Sequence, residues 1–241
     1  MISPKEIEKK TMSAKKRENA KNDFFAFYVG RPLTYVLTIP FLYTNISPNT
    51  ITLISIIPTI LGFIFFSFGS EISTYSLGWF SFFLWSMLDG IDGNVARYKK
   101  IYSKIGDTLD ATAGYFAMVF IFFGAGIAAS KEGNHILGIT PSFFIILGGL
   151  SSIFTILPRL VMHKAMNSIK DTKNQKLNNR GSYNLTKVIA LNVTSIPGMV
   201  QILLLICSLT QTLKLYTIFY FLINLFVMII SIKSILLEEL K

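Results

Sequence analysis

Long apolar segments constrain this chain more than any other feature of its sequence. An α-helix needs roughly 20 mostly apolar residues to cross the hydrocarbon core of a bilayer. Six stretches approach that length, namely residues 51–69, 75–95, 106–130, 139–162, 188–209 and 215–236. Backbone polar groups in lipid must bond within their own segment, which favours helices. The sequence therefore predicts an all-α, polytopic membrane protein with six transmembrane helices.

The composition agrees with a membrane protein. Of the 241 residues, 51% are hydrophobic and only 15% are charged, so most of the chain prefers lipid to water. The lone cysteine, Cys207, excludes a disulfide framework. The longest polar insertion, residues 163–187, is too short to bury a core of its own, so we expect no separate soluble domain.

The N-terminal part of the chain differs from the rest. Residues 4–23 are rich in lysine and compatible with a helix, and residues 24–43 mix aromatic side chains with prolines. We predict an amphipathic, interfacial arm over residues 1–46. The S-P-N-T sequence at residues 47–50 is typical of a helix start, so the transmembrane domain is predicted over residues 47–241.

Positive charges lie almost entirely on one side of the predicted spans. The formal net charge is +10, and of the 23 Lys and Arg residues only Lys131 and Lys214 fall in loops on the other side. Basic residues collect on the cytoplasmic side of membrane proteins. This explains the net charge without a nucleic-acid partner, and it predicts an integral protein of a prokaryotic plasma membrane with both termini in the cytoplasm.

Four acidic residues lie beside the apolar segments. Carboxylates are costly in a bilayer, so an acid in or next to a span is by default a functional candidate. Asp89 and Asp92 lie near the end of the second predicted span, and Asp107 and Asp110 lie at the start of the third. A helical hairpin would bring the two pairs together, each pair on one helical face. Facing carboxylate pairs suit Mg²⁺ or Mn²⁺, including two ions with shared ligands.

Small residues and an arginine accompany these acids. Gly90, Gly93 and Ala96 surround the first pair in sequence, and Gly106 opens the third predicted span. They leave room for a ligand or for a close approach of two helices. Arg97 can pair with phosphate oxygens through its guanidinium. Carboxylates, divalent ions, small residues and an arginine together indicate a diphosphate-binding site.

The segment that carries these residues resembles the signature of the CDP-alcohol phosphotransferase family. That signature reads D-x2-D-G-x2-A-R-x8-G-x3-D-x3-D, and residues 89–110 match its fixed positions with the eight-residue spacer intact. Only the last fixed position, residue 114, differs. The sequences R-P-L at residues 31–33 and S-P-N-T-I-T at residues 47–52 also resemble the family's lead into its first span.

This resemblance implies a metal-dependent transferase with Mg²⁺ or Mn²⁺, two ions in all. The metal ligands would be Asp89, Asp92 and Asp110. The residues that hold the CDP group or permit its approach would be Gly93, Ala96, Arg97 and Gly106. The catalytic carboxylates would be Asp110 and Asp107, and CMP would leave as the acceptor hydroxyl attacks phosphorus.

The resemblance also implies a place in phospholipid biosynthesis. CDP-diacylglycerol is the favoured donor of a phosphatidyl group, and a polar alcohol is the acceptor. The alternative within the family is transfer of a phospho-alcohol from a soluble CDP-alcohol to a lipid acceptor. Family members commonly pair, so a homodimer is expected.

Gly114 occupies the position of the signature's last aspartate. In the family this aspartate is taken as the general base and contributes to the metal site, and glycine can do neither. Asp107 lies about 10.5 Å away along a helix at ~1.5 Å per residue, so it would act as a base only through water. Three interpretations stay open: an acceptor that needs no such base, a site widened for a bulkier acceptor, or a weakened CDP-binding relative. The retention of the other positions favours an active enzyme.

Two further residues, Arg159 and His163, lie one helical turn apart at the end of the fourth predicted span. They can meet an anionic acceptor or lipid head group, although cytoplasmic anchoring also explains Arg159. An ion-coupled transporter would also cluster acids in membrane helices. Such a protein predicts acids near mid-membrane and inverted repeats, whereas these acids lie near one interface and the sequence shows no repeat.

Overall fold

Helices build the described parts of the chain. The computed structural model describes residues 2–133, 138–168 and 185–239, and no β-strand occurs in those ranges. The helices are α1 (Pro4–Thr11), α2 (Ala14–Ala20), α3 (Arg31–Leu42), α4 (Pro48–Phe68), α5 (Ile72–Lys99), α6 (Gly106–Lys131), α7 (Pro141–Ser168), α8 (Leu185–Val193), α9 (Gln201–Leu209) and α10 (Leu213–Glu239). Two π-helical turns, Ala26–Gly30 and Ile196–Val200, lead into α3 and α9. The predicted all-α class is therefore confirmed for these residues.

Four helices within the described residues are long and apolar enough to cross a membrane. They are α4, α6, α7 and α10, which contain the first, third, fourth and sixth predicted spans. The second predicted span lies in α5, a continuous helix of 28 residues. Serine, tyrosine and tryptophan side chains in its first half and charged ones in its second lower the mean hydropathy of α5. Helix α5 is long enough to cross a membrane, but it is not apolar enough to be identified as a membrane span from its composition.

The fifth predicted span, residues 188–209, is divided into two helices. Pro197 lacks the N–H that would bond the carbonyl of Val193 four residues earlier. Gly198 adopts φ −112° and ψ −117°, outside the helical region. The hydroxyl of Tyr220 donates a hydrogen bond to the Val193 carbonyl at 3.2 Å, which satisfies the group that the proline leaves unpaired. The apolar helix after the break is shorter than a membrane span.

Helix α4 links the acid-bearing helices α5 and α6 to each other. Helix α4 packs against both of them, whereas α5 and α6 make few direct contacts with each other. A Cβ added to Gly62 of α4 would lie 2.7 Å from the ring of Phe82. A Cβ added to Gly78 of α5 would lie 2.6 Å from the ring of Phe66. These glycines allow α4 and α5 to approach closely. The hairpin expected from the sequence is therefore bridged by α4, and a cavity remains between the end of α5 and the start of α6.

The first part of the N-terminal arm, before α3, packs against the helical domain around α1 and again after α2. Ile7 of α1 is fully buried, and Glu6 Oε1 accepts a hydrogen bond of 2.7 Å from the hydroxyl of Tyr98 on α5. Beyond α2, the backbone N–H of Phe24 donates to Asn192 Oδ1 of α8 at 2.8 Å. The arm therefore crosses from the end of α5 to α8 and covers the region between them.

Helices α6 and α7 cross where two glycines meet. A Cβ on Gly148 would lie 2.7 Å from the carbonyl oxygen of Phe122 and 2.8 Å from the Cα of Gly126. These neighbours are backbone atoms, so they cannot rotate away as a side chain would. The crossing therefore requires glycine on both helices.

We expect Gly148→Ala to destabilise the protein by about 1–3 kcal/mol, because the added methyl group forces α6 and α7 apart. The matched control is Gly149→Ala, where the nearest heavy atom to an added Cβ is 3.9 Å away on Phe123. Thermal unfolding of the two purified variants in detergent measures the difference. Equal unfolding midpoints for both variants would show that the crossing tolerates a methyl group.

Candidate active site

A polar cavity of about 500 Å³ lies among the N-terminal arm, the start of α4, the end of α5 and the start of α6. All four acids that the sequence singled out line it, namely Asp89, Asp92, Asp107 and Asp110. The residues expected to hold a CDP group line it as well: Gly93, Ala96, Arg97 and Gly106. Residues from two separate sequence segments are thus brought to one cavity.

The acids take different partners. The carboxyl groups of Asp89 and Asp110 lie within hydrogen-bonding distance of each other. Asp92 is only 5% exposed, and its Oδ2 accepts a hydrogen bond of 2.5 Å from the hydroxyl of Thr52. Thr52 lies in the second turn of α4, which begins where Ser47 caps its N-terminus. The S-P-N-T helix start therefore fixes the position of a group that orients Asp92.

The donor chemistry of this acidic wall suits a divalent cation. Two carboxyl groups in contact repel each other unless a proton or a cation lies between them. Carboxylate oxygens are the ligands that Mg²⁺ and Mn²⁺ prefer. Among the described residues, no three Asp, Glu, His or Cys side chains form a ready-made metal site. The Asp89–Asp110 pair offers two adjacent carboxyl groups to one ion, and Thr52 bonds only one of the two carboxylate oxygens of Asp92.

Basic residues form a second wall of the same cavity. Lys16 of α2, Arg31 of α3 and Arg97 of α5 all line it. Arg97 Nη2 donates to Asn94 Oδ1 at 3.2 Å, and a Cβ on Gly93 would lie 2.9 Å from both terminal nitrogens of Arg97. Gly93 therefore makes room for the guanidinium, a role the sequence analysis did not assign to it.

The loop between α5 and α6 is tied to α4. Asn49 Nδ2 donates to Ser103 Oγ at 2.9 Å, and a Cβ on Gly106 would lie 3.3 Å from that oxygen. The first residue after α5, Lys100, adopts a left-handed conformation with φ 56°. These contacts hold the start of α6, and with it Asp110, beside the cavity.

Arg159 and His163 of α7 do not belong to the cavity lining among the described residues. Arg159 lies close enough to Asp89 for a favourable electrostatic interaction. His163 Nδ1 and the hydroxyl of Tyr115 on α6 are hydrogen-bonded at 2.8 Å. Arg159 therefore reaches an acid of the site, whereas His163 contacts Tyr115 of α6.

Sequence reasoning missed four residues that the structure adds to this region. Thr52 lies in the S-P-N-T-I-T segment and Asn94 at a variable position of the signature, so each had a nearby signal. Tyr115 and Lys16 had none, because an apolar helix contains many aromatic residues and the arm contains many lysines.

Membrane-length helices beside a polar cavity with an acidic and a basic wall are typical of a membrane protein with a functional polar site. The sequence model of the CDP-alcohol phosphatidyltransferase family matches residues 45–234. The chain belongs to the CDP-alcohol phosphatidyltransferase family. A comparison with curated proteins finds no match. Membership makes the chain a transferase that moves a phosphoryl-linked group from a CDP-alcohol in lipid biosynthesis.

Proposed function

We propose that this protein transfers a phosphatidyl group from CDP-diacylglycerol to an alcohol acceptor and releases CMP. The observation that carries the proposal is the cavity in which the paired carboxyl groups of Asp89 and Asp110 share one space with Arg97. A CDP diphosphate suits both walls, because the cationic side chains can bind its oxygens and an ion held by the carboxylates would neutralise charge on the phosphoryl oxygens. We further propose that α5 and the α8–α9 pair complete six membrane-embedded segments, with the cavity on the cytoplasmic side.

The reaction is a displacement at phosphorus. The acceptor oxygen forms a new bond to the phosphorus that bears the diacylglycerol, the bond from that phosphorus to the CMP oxygen breaks, and the acceptor proton passes to a base. Bound Mg²⁺ or Mn²⁺, two ions in our proposal, would supply charge neutralisation at the phosphoryl oxygens. Asp89, Asp92 and Asp110 would hold the ions, and Thr52 keeps the carboxylate of Asp92 oriented.

The remaining residues position the substrates and accept the proton. The guanidinium of Arg97 binds the diphosphate and orients it, with Gly93, Ala96 and Gly106 leaving space for the CDP group. Asp107 lines the cavity and would take the acceptor proton through a water molecule, since position 114 has no side chain to do so.

The acceptor is proposed to approach from the α7 side. Arg159 interacts with Asp89, and the Tyr115–His163 hydrogen bond fixes the neighbouring turn of α7. A cation and an imidazole near the acids suit an acceptor that carries a negative charge. We therefore propose that Arg159 and His163 contact the acceptor, as one of the two ligands expected from the sequence.

CMP release from the purified protein in lipid nanodiscs tests the proposal. We expect release with CDP-diacylglycerol and one member of a panel of polar alcohols and their phosphates, and its loss when EDTA removes divalent ions. Release only with a soluble CDP-alcohol and diacylglycerol would instead favour phospho-alcohol transfer. CDP binding without release from any donor and acceptor pair would contradict the enzyme and leave a CDP-binding relative.

A further inference from the structure

The basic wall of the cavity includes two residues from outside the family-matched segment. The match begins at residue 45, whereas Lys16 of α2 and Arg31 of α3 lie in the N-terminal arm and still line the cavity that contains Arg97 and the acids. Three cations, Lys16, Arg31 and Arg97, converge there from three different helices. Among the described residues, none of the three forms a salt bridge with a carboxylate.

Contacts that do not involve its own side chain hold Lys16 in position. On one side of α2, Ile7 of α1 is buried against the domain. On the other, Ser195 Oγ donates to Asp23 Oδ2 at 2.6 Å, and Asn192 Nδ2 donates to the Asn22 carbonyl at 2.6 Å. The arm is thus attached at both ends, and the segment between the attachments carries Lys16 over the cavity.

The acidic wall offsets this convergence of positive charges only in part, through the interaction of Asp92 and Asp110 with Arg97. Burial, together with the positive charges of Arg97 and Arg31, lowers the pKa of Lys16 to about 8. The Nε of Arg97 is buried and has no hydrogen-bond partner. Buried polar groups are usually satisfied, so both observations indicate that an acceptor group with negative charge completes this wall.

Membrane-surface binding does not account for Lys16. Its neighbour Lys15 is exposed, as lysines that meet lipid head groups would be. Lys16 is half-buried and lies in the cavity lining instead. The two adjacent lysines therefore face different surroundings, and only one of them faces the proposed substrate site.

We propose that Lys16, with Arg31 and Arg97, forms a phosphate-binding subsite through which the N-terminal arm covers the bound substrate. The ligand is a phosphate or diphosphate ester, because three separate cations at one wall match several anionic oxygens. This inference rests on the proposed function. The anion has two sources, the diphosphate of the donor or a phosphate on the acceptor.

Lys16→Gln and Lys15→Gln in the full-length protein form a matched pair. We expect Lys16→Gln to raise one KM by about 10- to 100-fold, the size of a lost charge-assisted hydrogen bond, while kcat changes little. A rise in the KM for CDP-diacylglycerol assigns the subsite to the donor diphosphate, and a rise in the acceptor KM assigns it to an acceptor phosphate. Lys15→Gln is expected to match the wild type, and Lys16→Arg is expected to restore most of the lost affinity.

Equal KM values for the Lys16→Gln and Lys15→Gln variants would contradict the proposed subsite and show that Lys16 does not bind substrate. Direct binding separates this failure from a failure of the proposed function. If the wild type neither binds CDP nor releases CMP, the proposed function fails, and inorganic pyrophosphate then tests the subsite alone. Pyrophosphate binding that weakens in Lys16→Gln but not in Lys15→Gln supports the subsite, and absent or equal binding in these proteins refutes it.

Discussion

Replacing Asp89 with asparagine is expected to reduce CMP release by at least about 10³-fold, the scale of losing a group that stabilises transition-state charge. Asp89 lies against Asp110, where we propose that an ion is held. An amide cannot supply the negative charge that holds a divalent cation between the two side chains. Initial rates at saturating donor, with Mg²⁺ or Mn²⁺ varied, measure the loss.

The same variant is expected to fold normally. Asparagine keeps the shape of aspartate, its amide can donate a hydrogen bond to Asp110, and the substitution removes a like-charge contact. The thermal midpoint of metal-free Asp89→Asn should therefore be no lower than that of the wild type. Glu71→Gln, at the opposite end of α5, serves as the acidic control and should retain full activity. Full activity of Asp89→Asn would show that the Asp89–Asp110 pair is not required for the reaction.

Gly114→Asp is expected to increase CMP release with unphosphorylated alcohols by ~10²-fold, the lower range for a gained general base. Gly114 lies one helical turn beyond Asp110 on α6, so a carboxylate there would face the same side as Asp110. The helix has room for it, because the nearest heavy atom to an added Cβ is 3.8 Å away on Met118. The substitution would restore the last aspartate of the signature.

Gly114→Asn is the matched control, since it adds nearly the same volume without a base. If both variants lose activity with the protein's own acceptor, the glycine serves to widen the site for that acceptor. If Gly114→Asp gains no activity with any alcohol while the protein stays folded, the missing base does not limit the reaction. That result would favour an acceptor activated by another group over a weakened enzyme.

The sequence was informative about the site because its determinants are local. Asp89, Asp92 and Arg97 lie within nine residues of one another, and Asp110 follows after a fixed spacer, so the motif could be recognised without knowing the fold. The expected convergence of the two acid pairs on one cavity agrees with the structure. Their role as metal and substrate ligands stays a prediction that the Asp89 variant tests.

The number of membrane spans was harder to predict from the sequence than the candidate site. Four of the six predicted segments are membrane-length apolar helices, because hydropathy reports directly on the transfer of side chains into lipid. Helix α5 mixes polar and apolar residues, and Pro197 divides the fifth segment. In both places, contacts between helices compensate for polar groups, and a linear count of apolar residues does not include those contacts.

By itself, the sequence determined the all-helical class, the family and the acids and arginine of the candidate site, since each depends on hydropathy or on short spacings along one chain segment. Only the tertiary structure decided that α4 bridges the acid-bearing helices, that Thr52 bonds Asp92, that Gly93 makes room for Arg97 and that Lys16 reaches the cavity. Apart from the Gly93–Arg97 contact within α5, these contacts join residues far apart in the chain. Their existence depends on how helices pack, and packing is fixed by the whole set of side-chain shapes rather than by any local pattern.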